Sequence, residues 1–206
     1  VFTEYKDNID YALITHCQKG HFDHLDRAGV RWLVKRQIPT FCTPRDEKFL
    51  DKKQILTRVL AQQRSTFFDG TIERIPATHT RGWLTAFMEH GTGYFIQLPN
   101  EPSVYLMGDT VLTHSIRNFI QDNQPDYIVA PTGKAQFDLG APLLLDENEI
   151  IELANLSTGK IICNHMGALD HCRIDHHSLA ALLEKHAVKD RYIIPRDGDT
   201  VILTTN

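Results

Sequence analysis

One stretch limits this chain more than any other. Thr15-His16-Cys17-Gln18-Lys19-Gly20-His21-Phe22-Asp23-His24-Leu25-Asp26 follows directly on the apolar run Tyr11-Ala12-Leu13-Ile14. An aliphatic strand that empties into three histidines and two aspartates puts nitrogen and oxygen donors at a strand end, where a rigid scaffold can aim them at one point. A polar loop whose histidines serve as caps and hydrogen-bond partners needs fewer imidazoles than this. A metal site with mixed imidazole and carboxylate ligands is the expectation.

Three more strand ends carry ligand-type residues: His79 in a Thr-His-Thr turn, Asp109 in Met107-Gly108-Asp109-Thr110, and His165 in Cys163-Asn164-His165-Met166-Gly167. Each follows a short apolar run, so all four groups can project from one edge of a sheet system, an arrangement that suits a binuclear centre. Alone, His79 reads as a satisfied turn histidine and His165 as a core histidine. Asp109 alone reads as an N-cap for a helix over Val111 to Asn123, and it can serve as cap and ligand with one oxygen for each. The ordered series gives all three a ligand role. His176 and His177 are placed on a solvated helix start and given no chemistry.

The pattern of apolar residues predicts a strand over Tyr11 to Thr15, a helix over Leu25 to Gln37, a strand over Pro39 to Thr43 and helical spacing over Pro44 to Gln63. From Ser65 to Asp109 the texture changes to short β-type runs at Phe67-Phe68, Ile72 to Ile75, Trp83 to Glu89, Tyr94 to Leu98 and Val104 to Met107. Gly and Asn turn signals separate them, as in an antiparallel meander. Beyond that come a helix over Val111 to Asn123, a buried strand over Tyr127 to Ala130, and a helix over Asp146 to Leu156 with Asp146 and Glu149 at capping-box spacing. A strand over Lys160 to Asn164, a helix marked by Leu179, Leu182, Leu183 and His186, and strands at Tyr192 to Ile194 and Val201 to Leu203 complete the expectation.

With 206 residues, 42% hydrophobic and 23% charged, the chain suits one well-cored domain over 1–206. A formal net charge of -4 gives no broad basic face, so nucleic acid is not an expected partner and a small-molecule substrate is. Cys17, Cys42, Cys163 and Cys172 are scattered without a CxxC pair or a signal-like segment ahead of them. That suits small core residues in a reducing, cytoplasmic compartment. Cys17 adjoins the ligand loop, where an inert thiol is favoured over a thiolate near metal. No apolar stretch approaches the ~20 residues that cross a bilayer, and no membrane association is expected.

The order His/His/Asp/His, His, Asp, His resembles the metallo-β-lactamase superfamily, from Tyr11 onward over nearly the whole chain. Tyr105 to Leu203 is similar to bacterial hydrolases near the L-ascorbate-6-phosphate lactonase branch. Gly108-Asp109-Thr110, Gln124-Pro125-Asp126, His165-Met166-Gly167-Ala168-Leu169-Asp170-His171-Cys172 and Pro195-Arg196-Asp197-Gly198-Asp199 carry that similarity. The resemblance implies an α/β (α+β) fold, the αββα sandwich with its metal site at one edge. It implies that His16, His21 and His79 hold one metal ion, that Asp23, His24 and His165 hold a second, and that Asp109 bridges them. Two divalent ions are implied, Zn2+ first and Mn2+ or Fe2+ next. They lower the pKa of a shared water, so that a metal-bound hydroxide attacks a small ester, lactone or phosphoester whose oxygen one ion polarises. Asp23 would also orient that hydroxide, and His171 would donate to the developing oxyanion or anchor an anionic group.

Two departures from the family pattern bear on this expectation. The pattern is HxHxDH, whereas here His16 stands five residues before His21 and Lys19 stands two before it. Either His16 reaches the metal through a bulge, or Lys19 takes the ligand's place and its ammonium repels a cation. Family members also carry several strands ahead of the first motif, where this chain has about ten residues. The sandwich is therefore expected to lack some N-terminal strands or to be completed by another chain, which makes a homo-oligomer plausible. The rival readings are a phosphodiesterase or nuclease of the same fold, and a metal-poor binding module.

Overall fold

The computed structural model describes residues 7–17, 25–79, 91–136, 142–167 and 172–205. The chain divides into two compact units, Val1–Ser65 and Thr66–Asn206. In the first, β1 (Ala12–Leu13), β2 (Thr40–Cys42) and β3 (Thr57–Val59) form a parallel sheet in that order. Helices α1 (Arg27–Arg36) and α2 (Pro44–Asp51) make the crossovers that parallel pairing demands. Asp26 caps α1 by accepting from the Gly29 N–H at 2.6 Å, and Gln37 ends it in the left-handed conformation, φ 53°, two residues before Pro39. Ile14, Cys17, Leu33, Ile38, Cys42, Leu50 and Ile55 form its core.

Here one sequence expectation fails. The helical spacing of Pro44 to Gln63 covers a helix that stops at Asp51 and a strand, β3. Lys52-Lys53-Gln54 supplies no apolar face, Gln54 turns to φ 62°, and Thr57 and Val59 find a ready partner in β2. Tertiary pairing overrides the spacing there.

The second unit is organised by a seven-stranded sheet in the order β10-β9-β8-β7-β6-β5-β4. Its strands are β4 (Arg64–Phe67), β5 (Gly70–Ala77), β6 (Gly91–Gln97), β7 (Val104–Leu106), β8 (Tyr127–Pro131), β9 (Lys160–Asn164) and β10 (Tyr192–Ile193). β5, β6 and β7 pair antiparallel, which is the expected meander, and β7 to β10 pair parallel. The helices α3 (His114–Asn123), α4 (Glu147–Leu156) and α5 (His176–Lys185) carry the three crossovers. Two antiparallel steps restore direction, so β5 points the same way as β7, β8 and β9. The C-terminal ends of all four therefore lie at one edge of the sheet.

The core of this unit is built from Ile75, Phe95, Tyr105, Met107, Ile116, Ile120, Ile128, Leu153 and Ile161, among others. The Phe119 ring meets Phe95 and Tyr105 edge-on at 5.3 and 5.1 Å between centroids. α4 has the expected capping box: Asp146 accepts from the Glu149 N–H, and Glu149 accepts from the Asp146 N–H. α3 begins later than expected, at His114, and its cap is Thr113 rather than Asp109, which frees the Asp109 carboxylate from that task. Val201 to Leu203 forms no strand. That tail is held instead by the Tyr127 hydroxyl, which accepts from the Thr204 N–H and donates to its carbonyl. The Trp83 to Glu89 strand expectation lies outside the described residues.

All four cysteines are free, and Cys17, Cys42 and Cys163 are buried while Cys172 is half-buried. Burial, then the nearby Asp46 carboxylate, pushes the Cys42 thiol up to about 12, and burial pushes Cys163 up to about 12 as well. Such thiols are inert. A thiol-reactive dye at pH 8 is expected to label the native protein at Cys172 and to reach the remaining three only after denaturation. Peptide mapping of the labelled sites checks this. Among the described residues, no helix is long and apolar enough to cross a membrane.

Candidate metal centre

Three of the expected ligands, His79, Asp109 and His165, belong to the second unit, and all three follow strands that end at the shared edge. β5 runs out through Thr78 to His79, which is buried. β7 runs out through Met107 and Gly108 to Asp109, also buried. Gly108 sits at φ 65°, where a side chain is costly, and this turn re-aims the chain before Asp109. Thr110 clips the two loops together: its hydroxyl oxygen accepts from the Thr78 N–H at 3.0 Å, and the Val111 N–H donates to the Thr78 carbonyl at 2.9 Å. Below them, buried Glu149 accepts from the Leu112 N–H at 3.0 Å. The result is that His79 and Asp109 bring their ligand atoms within 4.8 Å of each other.

β9 delivers His165 to the same place. Its Nε2 lies 3.4 Å from Asp109 Oδ2, and its backbone stands at φ 55°. That conformation is uncommon for a residue with a side chain and costs about 1–3 kcal/mol when the surroundings impose it. The neighbouring segment imposes it here. Gly133, just past β8, comes so close that a Cβ there would lie 1.8 Å from the His165 carbonyl oxygen. The Asp109 carboxylate, by hydrogen bond and charge, holds the His165 imidazolium up at about 9 against burial, which alone would lower it. The edge thus favours a positive charge between imidazole and carboxylate, which is what a cation-binding site requires.

His16 belongs to the first unit. It follows β1, is fully buried, and has its Nδ1 3.1 Å from the Thr15 hydroxyl. The next residue is fixed by Asp46, a buried carboxylate in the first turn of α2, which accepts from the Cys17 N–H at 3.3 Å and from the Thr43 hydroxyl at 2.5 Å. Burial and the Asp46 charge drive the Cys17 thiol far above its ordinary range, so it is no thiolate at neutral pH. His21, Asp23, His24 and His171, with Lys19, lie outside the described residues. His176 starts α5 and meets the Pro195 carbonyl through its Nε2 at 2.9 Å, while His177 is exposed, in keeping with the lack of chemistry expected of both.

Sequence reasoning missed three contributors. Asp46 looked like an ordinary acidic residue in a helix first turn, Gly133 like a turn glycine, and Cys172 like a core thiol. Cys172 in fact lies beside His165, its Sγ 3.6 Å from the ring Nδ1. No local pattern marks any of the three, because each acts on a residue distant in the chain.

Comparison with known proteins identifies the family. The β-lactamase superfamily domain matches residues 3–166. This chain belongs to that superfamily. Among its relatives is a UPF0173 metal-dependent hydrolase of Methylacidiphilum infernorum, 30% identical over 174 residues, covering 82% of this chain and 71% of the relative. The UPF0173 protein YddR of Bacillus subtilis is 27% identical over 198 residues, covering 94% of this chain and 76% of its own length. A solved structure of a possible metal-dependent hydrolase from Veillonella parvula superposes with a TM-score of 0.88 at 22% identity, over 98% of this chain and 79% of that one. The superfamily member described here is a metal-dependent hydrolase of the metallo-β-lactamase fold. Its donors fit a divalent cation: imidazoles and a carboxylate converge at a buried edge that already favours positive charge.

Proposed function

We propose that this enzyme hydrolyses a small ester, lactone or phosphoester in the cytoplasm, with two divalent cations, Zn2+ before Mn2+ or Fe2+. The approach of His79 and His165 to one carboxylate, Asp109, is the observation that carries this reading. In it, His16, His21 and His79 hold one ion, Asp23, His24 and His165 hold the other, and Asp109 spans both. The two units act as one catalytic domain over 1–206. Bound there, such ions supply Lewis acidity and lower the pKa of water. The protein's own groups do the rest: Asp23 orients the attacking water, and His171 donates to the oxygen on which negative charge develops. Buried Thr110 and Glu149 hold the Asp109 loop still while this happens. His16, rather than Lys19, is assigned the first ligand position, because an ammonium in that place would repel the ion it is meant to hold.

The test is metal analysis of protein reconstituted with Zn2+, followed by turnover of a lactone, a phosphodiester and a β-lactam. Near two equivalents of zinc and hydrolysis of the lactone or a simple ester are expected. Preference for the phosphodiester would replace this reading with a phosphodiesterase. No bound metal and no turnover would leave a binding module in its place.

A further inference from the structure

Both ring nitrogens of His165 are engaged, and the two partners differ in kind. Nε2 faces the Asp109 carboxylate at 3.4 Å, while Nδ1 faces Cys172 Sγ at 3.6 Å. The same sulfur lies 3.8 Å from the His165 carbonyl oxygen. A thiol has one weak donor and a weak acceptor, and a carbonyl oxygen only accepts. The S–H therefore points to the carbonyl, and the sulfur lone pair is left for an N–H on Nδ1. That assignment puts the proton of a neutral ring on Nδ1 and leaves the Nε2 lone pair directed toward Asp109.

The position of the sulfur is built rather than incidental. Cys172 forms a single antiparallel bridge with Ala135, the Arg173 N–H donates to the Lys134 carbonyl at 3.4 Å, and the Ile174 N–H donates to the Gly133 carbonyl at 3.1 Å. This ladder runs along the segment whose glycine touches the His165 carbonyl. Backbone pairing thus sets the thiol and the His165 backbone from one short piece of chain. Because the sulfur addresses the ring nitrogen away from Asp109, it is placed to orient the imidazole and not to join His79 and Asp109 as a ligand.

We propose that Cys172 is a positioning residue that holds the His165 imidazole in the Nδ1–H form, with Nε2 free to bind a cation. The inference rests on the metal-centre reading above and deepens it. Partners of this sort, which fix the tautomer of a metal-binding histidine, change metal affinity about 10- to 100-fold when removed.

The experiment uses Cys172→Ala and Cys172→Ser in the full chain, with two readouts. The first is Zn2+ affinity by competition with a chromophoric chelator. Alanine is expected to weaken it about 10- to 100-fold, and serine, whose hydroxyl keeps a donor and an acceptor, to recover part of the loss. The second is the 15N spectrum of the His165 ring in metal-free protein, which reports the nitrogen that carries the proton. The Nδ1–H signature is expected in wild type and serine variant, and a tautomer mixture in alanine. Thermal unfolding and circular dichroism confirm that each variant folds. Unchanged zinc affinity and an unchanged ring spectrum in Cys172→Ala would overturn the proposal. Wild type that takes up no zinc would sink the metal-centre reading instead, and the ring spectrum would still decide the role of Cys172.

Discussion

Asp109→Ala is expected to lower kcat/KM by about 10³-fold on whichever probe ester, lactone or phosphodiester the wild type hydrolyses. Charge stabilisation by bound metal supplies several kcal/mol of transition-state binding, and each ~1.4 kcal/mol is a tenfold change in rate. Asp109 is the side chain that faces both a second-strand-end histidine, His79, and the imidazole of His165, so its removal strips both groups of their shared anion. Asp109→Asn keeps the shape and loses the charge. It is expected to fall almost as far, because an amide oxygen is a far weaker partner for a divalent cation than a carboxylate. Steady-state kinetics and metal content, measured on protein whose circular dichroism matches wild type, provide the check. Retention of both the rate and two equivalents of metal by Asp109→Ala would remove this residue from the centre of the mechanism.

The second large effect is expected at a residue with no chemistry of its own. In Gly133→Ala the new methyl group would lie 1.8 Å from the His165 oxygen and 2.9 Å from its carbonyl carbon, and backbone atoms cannot swing aside as a side-chain tip can. Gly159 offers a matched control. A Cβ there would lie 2.0 Å from the Pro125 oxygen, near the starts of β8 and β9 and so at the far end of the same strand pair. Overpacking of this kind costs about 1–3 kcal/mol, which for a chain of this length lowers Tm by roughly 2–12 °C. Both alanine variants are expected to show that loss. Only Gly133→Ala is expected also to weaken Zn2+ binding, by more than about tenfold, since it alone displaces a residue of the metal centre. Equal zinc affinities for the two folded variants would mean that His165 tolerates displacement, and the close approach would then be a matter of packing only.

Much of this protein is legible from its residues in order. The capping-box spacing of Asp146 and Glu149 marks the start of α4, and Lys160 to Asn164 is a strand with the predicted limits. Ligand-type residues placed after short apolar runs point to a shared sheet edge, and β5, β7 and β9 do end there. What escapes the sequence is whatever depends on a partner far along the chain. Leu56 and Val59 keep helical spacing with Phe49 yet join β2 as a strand, because an open parallel edge outweighs local periodicity. Thr113 caps α3 in place of Asp109 because the segment between them is pinned by Glu149, which lies 37 residues beyond Leu112. The pairing of Cys172 with His165 depends on a lone bridge to Ala135, for which no pattern of apolar residues gives a signal.

The strands of the larger sheet lie side by side in the order in which they occur in the chain. During synthesis each strand therefore emerges when its neighbour is already made, and no segment has to wait for a distant partner or thread past one. His79 and Asp109 leave the ribosome well before His165, which comes only with the last strand but one. In the nascent chain the metal-binding edge is completed late, so cation capture follows the docking of β9 and rewards a sheet that has already assembled.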